Sequence, residues 1–223
     1  LLAVPDSEDG ALRYAVFNKS FATYVTETHG LRFSLRVYIT AERATRFTLG
    51  VQNLSQAEID FCLSAYINPF LLHDVFENGE NRWFREVTVL DGEGLPDFVV
   101  RCNESISRTK QVSNYGVLTR TLSLYGGAAL TGHEETTSRA AYVGGSRSSL
   151  HRPRGVLAGS FGKPRHVTSF TEVGICGDLQ WLALPAGASL REDIAFSYRV
   201  HCEDAAPVAE MRAARPSPEM FDA

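Results

Sequence analysis

Apolar and polar positions alternate along residues 31–39, where Leu31, Phe33, Leu35, Val37 and Ile39 interleave with Arg32, Ser34, Arg36 and Tyr38. A period of two sets one face of a strand on a core and turns the other to water. The pattern returns over 45–51 with Phe47, Leu49 and Val51, closed by Asn53-Leu54-Ser55. It returns again over 59–67 with Ile59, Phe61, Leu63, Ala65 and Ile67, closed by Asn68-Pro69. Three such strands with short connections predict an antiparallel meander. Further strands are predicted over 83–90, 98–102, 117–125, 167–175, 179–184 and 194–200, with Gly126-Gly127 as an ordinary turn or bulge.

So many strands separated by turn signals predict an all-β antiparallel sandwich rather than an α/β fold. Cys62 and Tyr66 lie opposite Phe61 and Leu63 on one predicted strand, so part of a sheet is expected to be covered on both faces. That favours a large sandwich over a small immunoglobulin-type one. Helix is expected to be nearly absent before the C-terminus. There the composition shifts to Ala, Glu, Met and Arg with Pro207, Pro216 and Pro218, so that 1–204 reads as the sandwich and 205–223 as a linker or helix start.

The chain has 223 residues, of which 44% are hydrophobic, enough to bury a core as one large β domain or two small ones. A formal charge of -4 argues against nucleic acid or an anionic membrane surface as partner, since both call for a basic surface. No apolar run approaches the roughly 18 to 20 residues that span a bilayer. The start, LLAVPDSEDG, lacks a basic and then apolar leader pattern and reads as the middle of a longer chain. Cys62, Cys102, Cys176 and Cys202 lie far apart with no CxxC, so free buried thiols in a reducing, cytoplasmic setting are expected rather than a zinc site or a disulfide framework.

Candidate chemistry concentrates in 138–159, SRAAYVGGSRSSLHRPRGVLAG, where glycines, arginines and an X-Pro step stand between strand-like regions. A polar loop on a rigid β scaffold is where binding functions gather. Arg139, Arg147 and Arg152 offer planar forks that suit sugar hydroxyls or phosphate oxygens, with Ser146 and His151 beside them, and Gly144-Gly145 lets the backbone bend close to a ligand. The competing reading pairs these arginines with the domain's own acids or with a neighbouring domain. Gly155 and Gly159 lack the lysine and serine of a phosphate-binding loop, and GGSRSS lacks the G-x-S-x-G of a nucleophile elbow.

Elsewhere the residues predict structure. The pairs Glu134-Glu135, Glu192-Asp193 and Glu203-Asp204 are sequence neighbours, so their side chains point to opposite faces and cannot flank one bond, and they read as solvated surface. His133-Glu134-Glu135 lacks metal-ligand spacing and reads as a turn, and His201-Cys202-Glu203 sits at a strand end where neighbours diverge. Trp83, Phe84, Tyr115, Tyr142 and Trp181 could stack on pyranose rings, as in a carbohydrate-binding module, but packing in a core or interface is the favoured reading.

The stretches YVTETHGLRFSLRVYITAERATRFTLGVQN, SRAAYVGGSRSSLHRPRGVLAGSF and FTEVGICGDLQWLALPAGASLREDIAFSYRV together resemble the N-terminal domain of the glycoside hydrolase family 94 phosphorylases, over roughly residues 14–202. Among its subgroups, TSRAAYVGG and SFTEVGICGDL look closer to the β-1,2-oligoglucan phosphorylases than to cellobiose phosphorylase. The resemblance implies a supersandwich like that of galactose mutarotase, followed by an (α/α)6 barrel that carries the general acid and the phosphate site. It implies an oligosaccharide substrate, inorganic phosphate as co-substrate with no other cofactor, a homodimer, and a sandwich loop at the acceptor-side entrance, where Arg147 is the best-matching position. No catalytic or metal-binding residue is expected within the chain itself. Two other readings are an autonomous carbohydrate-binding module and a mutarotase-like enzyme. The latter would need a histidine and a carboxylate on one sheet face, and His29, His73 and His166 have no evident carboxylate partner by strand parity.

Overall fold

The computed structural model describes residues 13–17, 19–39, 45–69, 85–92, 94–107, 110–144, 152–162, 166–168, 174–203 and 206–214. Within them the chain is all-β and antiparallel. Twelve strands run β1 Arg13–Phe17, β2 Phe21–Thr28, β3 Leu31–Ile39, β4 Thr45–Asn53, β5 Ile59–Ile67, β6 Arg85–Leu90, β7 Asp97–Ser107, β8 Lys110–Tyr125, β9 Ala129–Ser138, β10 His166–Thr168, β11 Gly174–Leu184 and β12 Ser189–Cys202. Three helices join them: α1 Arg139–Val143, α2 Arg154–Ala158 and α3 Ala206–Ala213.

Nine strands form one sheet in the order β1-β2-β3-β4-β12-β8-β7-β6-β10, and three form a second in the order β5-β11-β9. The predicted meander therefore holds only in part. β3 and β4 pair as expected, but β5 leaves for the small sheet and pairs with β11. Asn53, 1% exposed, makes this corner. Its side-chain amide donates to the carbonyls of Ala57 at 2.7 Å and Leu184 at 2.8 Å, while its Oδ1 accepts from the backbone N–H of Ser55 at 2.8 Å. One side chain thus satisfies the backbone where the chain crosses between sheets.

Alternation places the core as predicted. Leu31, Leu49, Val51 and Leu190 of the large sheet meet Leu182 and Leu184 of the small one, and Phe98, Val100, Leu118 and Ile194 continue the interior toward β6 and β7. The small sheet is covered on both faces, because Tyr142 and Val143 of α1 join Phe161 over Ile175 and Leu179. The strand predicted over 167–175 resolves into β10 and the start of β11, with 169–173 outside the described residues. β9 takes up His133-Glu134-Glu135, which was expected to be a turn, whereas Gly126-Gly127 does turn, with φ of 66° and 83°. α3 gives the expected C-terminal helix, and its Arg212 reaches the buried Asp97 at 2.9 Å. None of the four cysteines is in a disulfide; Cys102 and Cys176 are buried as expected, but Cys202 is half-buried, and Cys62 is exposed because it lies on the outer side of the small sheet's edge strand. Among the described residues no helix is long and apolar enough to cross a membrane.

The two sheets are tied by charge as well as by hydrocarbon. Arg120 of β8, 2% exposed, pairs with Asp178 of β11 at 2.5 Å and with Glu192 of β12. The Gln180 amide donates to both carboxylates, at 3.1 Å to Asp178 and 3.0 Å to Glu192. Burial works against the Arg120 cation, but the carboxylates, Asp178 foremost, outweigh it and hold its pKa above the ordinary arginine value. Glu192 and Asp193 were expected on the surface and are 1% and 0% exposed. The opposite-face argument stands, since Glu192 faces Arg120 inside the sandwich and Asp193 faces Arg191 and Thr48 on the outer side, at 2.9 and 2.8 Å.

Candidate functional site

The segment that the sequence singles out folds as a two-helix cover on the small sheet. Ser138 ends β9 and caps α1, its Oγ accepting from the Ala141 N–H at 2.9 Å. Gly144, at φ 96°, closes the helix with its N–H on Ala140 O at 2.8 Å. This short helix lays Tyr142 between Tyr66, at 5.1 Å between ring centroids, and Phe161, stacked at 5.2 Å. The Tyr142 hydroxyl bonds to Ser64, and burial, which outweighs that bond, pushes its pKa up.

α2 begins after Pro153, whose φ of -68° suits a helix entry, and ends at Gly159 in the left-handed region at φ 65°. Gly155 lets α2 touch α1, because a Cβ there would run into the Ala141 carbonyl oxygen and lie 2.7 Å from the Phe161 ring. Glu134 of β9 fixes the exit from α2, accepting from the Phe161 N–H at 2.9 Å and the Ser160 hydroxyl at 3.1 Å. Between the helices lies an open cleft of about 310 Å³, walled by Ala140, Ala141, Gly144, Arg154, Ser160 and Phe161. It is an open depression whose walls mix polar and apolar groups.

The exposed residues Arg139, at the start of α1, and Arg152, just before α2, stand at the ends of the two helices bordering this cleft. Neither they nor Arg154 form an ion pair among the described residues. Arg147, Ser146, His151 and Gly145 lie outside the described residues. Arg154 was missed as a wall of the cleft, although it stands directly after Pro153 in the run already singled out, where a proline at a helix entry could have signalled it.

Of the aromatics proposed as a stacking platform, Trp83 and Phe84 lie outside the described residues, and Tyr115 and Tyr142 are buried. Trp181 is half-buried against the α1 cluster. For Tyr115, Tyr142 and Trp181 the favoured reading as packing residues therefore agrees with the described structure. Among the described residues no group of three or more His, Cys, Asp or Glu is placed to hold a metal. His29 takes part in a turn at φ 50°, with Nδ1 2.8 Å from the Thr28 hydroxyl, and His133 lies 3.9 Å from Glu135. No family model matches the chain, and no curated protein matches it.

Proposed function

We propose that this chain is the noncatalytic β-sandwich domain of an inverting carbohydrate phosphorylase that acts on β-glucan oligosaccharides with inorganic phosphate to give a sugar 1-phosphate. The observation that carries the reading is the α1–α2 cover, where Arg154 lines an open cleft, the exposed Arg139 and Arg152 stand at the starts of the two helices, and none of the three is ion-paired among the described residues. Guanidinium forks hydrogen-bond vicinal hydroxyls and phosphate oxygens in one plane. The similarity of 138–161 to the phosphorylase sandwich loop and the two-sheet architecture point the same way.

In this reading the domain works in the cytoplasm, packs on an (α/α)6 barrel, takes part in a homodimer and shapes the acceptor-side entrance. Phosphorolysis needs one carboxylic acid to protonate the departing glycosidic oxygen while phosphate attacks the anomeric carbon, and the barrel supplies that acid and the phosphate site. The sandwich contributes positioning, which acts through the acceptor and not through phosphate. In the full-length enzyme Arg147→Ala is therefore expected to raise the acceptor KM while leaving the phosphate KM in place. An unchanged acceptor KM would refute the role assigned to the loop.

A further inference from the structure

Among the described residues the two sheets end in four edge strands, β1 and β10 in the large sheet and β5 and β9 in the small one. An open edge presents N–H and C=O groups to any further strand, and proteins blunt such edges with short strands, charges or irregular pairing. Three of the four are blunted in this way. β10 has only three residues. β9 carries the exposed His133 and shifts register twice against β11, and β5 carries the exposed Asp60. β1 has no such device. Its sequence RYAVF holds no glycine, proline or acid, it pairs with β2 without a register shift, and it leaves Tyr14 50%, Val16 48% and Phe17 68% exposed. Alternation sets Tyr14 and Val16 on the outward face of the sheet and Ala15 and Phe17 on the inward one, where the Phe17 ring meets the exposed Tyr24 of β2 edge-on at 5.9 Å.

The order of residues along β1 is self-complementary. A second β1 laid antiparallel across the edge pairs all five residues only when the two-fold axis passes through Ala15. In that register Tyr14 stands opposite Val16 of the second copy, and Val16 opposite its Tyr14, on the outward face. Aromatic and β-branched residues are among the favourable cross-strand pairs. On the inward face Ala15 stands opposite Ala15, and Phe17 of each copy is the diagonal neighbour of the other's Ala15, a separation that an aromatic side chain bridges. The two alanines leave a shallow gap between the Tyr24 rings with which they pair, and the two Phe17 rings close it.

We propose that β1 is a dimerisation edge, at which a second copy of this chain adds its own β1 and joins the two nine-stranded sheets into one. The occupant is a second copy rather than a foreign strand because a single five-residue segment supplies both members of every matched pair. This assigns a surface to the homodimer proposed above, and it requires neither phosphorolysis nor the α1–α2 cleft.

The test is the mass of the full-length polypeptide in sedimentation equilibrium, together with a cross-link at the axis. A dimer is expected, and Val16→Lys, which places a charge on the edge at an exposed position, should weaken it about tenfold or more. In a Cys62→Ser, Cys202→Ser background, Ala15→Cys sets two thiols opposite each other with Cα atoms about 4.5–5.5 Å apart, within disulfide reach. Mild oxidation should link this variant into covalent dimers, whereas Lys19→Cys, exposed but outside the paired residues, should not link. A monomeric polypeptide would overturn the proposal, as would a dimer that Val16→Lys leaves unchanged or an Ala15→Cys variant that links no faster than Lys19→Cys. If Val16→Lys lowers the denaturation midpoint, the cross-link alone decides. Slow amide exchange along β1 in a monomer would assign the edge to another segment of the same polypeptide and equally overturn it. Release of sugar 1-phosphate by the same preparation is read separately and bears only on the phosphorylase reading.

Discussion

Arg120 and Asp178 meet at 2.5 Å between the two sheets, each almost wholly shielded from water. With Glu192 also on the arginine, one cation faces two carboxylates, and the Gln180 amide bridges the pair of acids. Removing the cation would leave two carboxylates buried without compensation. Arg120→Met is expected to destabilise the fold by about 3–5 kcal/mol, read as a lowered midpoint in chemical denaturation. A loss below about 1 kcal/mol would mean that the cluster is not a structural tie.

The excess negative charge of that cluster sets a pH dependence. Burial, reinforced by Glu192 and only partly opposed by Arg120, raises the Asp178 pKa above the ordinary carboxylate value. The groups facing it are Arg120 from β8, Glu192 from β12, Gln180 from β11 and the Ala65 N–H of β5. The folded state therefore holds this proton more tightly than the unfolded chain. Its contribution to stability is complete below the unfolded pKa of about 4 and is lost as pH rises through the folded value. Stability measured across that window should fall with pH, and Asp178→Asn, which keeps the shape of the carboxyl group without the titration, should flatten the fall. A wild-type slope retained in Asp178→Asn would assign it to another group.

The sequence predicted which residues face inward but not which strands pair. Alternation over Leu31–Ile39 and Ile59–Ile67 identified both strands and their faces, yet it carries no term for a partner, so the departure of β5 to the small sheet was invisible. Glu192 and Asp193 were assigned to opposite faces by parity and to solvent by residue type. The second inference failed for Glu192 because the compensating Arg120 lies 72 residues away in the chain, and for Asp193 because Thr48 of β4, which bonds it beside Arg191, is brought there only by strand pairing. α1 and α2, at five residues each, are too short for a helical period to register. In 138–159, Arg139 and Arg152 were visible as charges in a glycine-rich run, while Arg154 and Glu134 gain their places only when α2 docks.

Asn53 offers a test of the sheet-switching corner. It supplies bonds to Ala57, Leu184 and Ser55 from a buried position, so Asn53→Ala strands backbone groups at the crossing between sheets. A loss of about 2–3 kcal/mol in denaturation is expected. Asn53→Asp, which keeps the acceptor for Ser55 but not the donors, should recover only part of it. Full recovery would show that the donors are dispensable.

Gly155 governs the docking of α2. A methyl group there would press on the Ala141 carbonyl and the Phe161 ring, so Gly155→Ala should cost about 1–3 kcal/mol. Amide exchange should quicken in α1 and α2 while the sheets stay protected. Uniform loss of protection across β8 and β12 would mean instead that the cover is part of the global folding unit.

The central claim is that the parent polypeptide carries out phosphorolysis and that this sandwich serves it. The most direct measurement is release of sugar 1-phosphate by the full-length protein from β-glucan oligosaccharides, with and without inorganic phosphate. The account predicts release that requires phosphate, with inversion at the anomeric carbon. Absence of sugar 1-phosphate from every glucan linkage tried, or glycan cleavage by water alone, would contradict it.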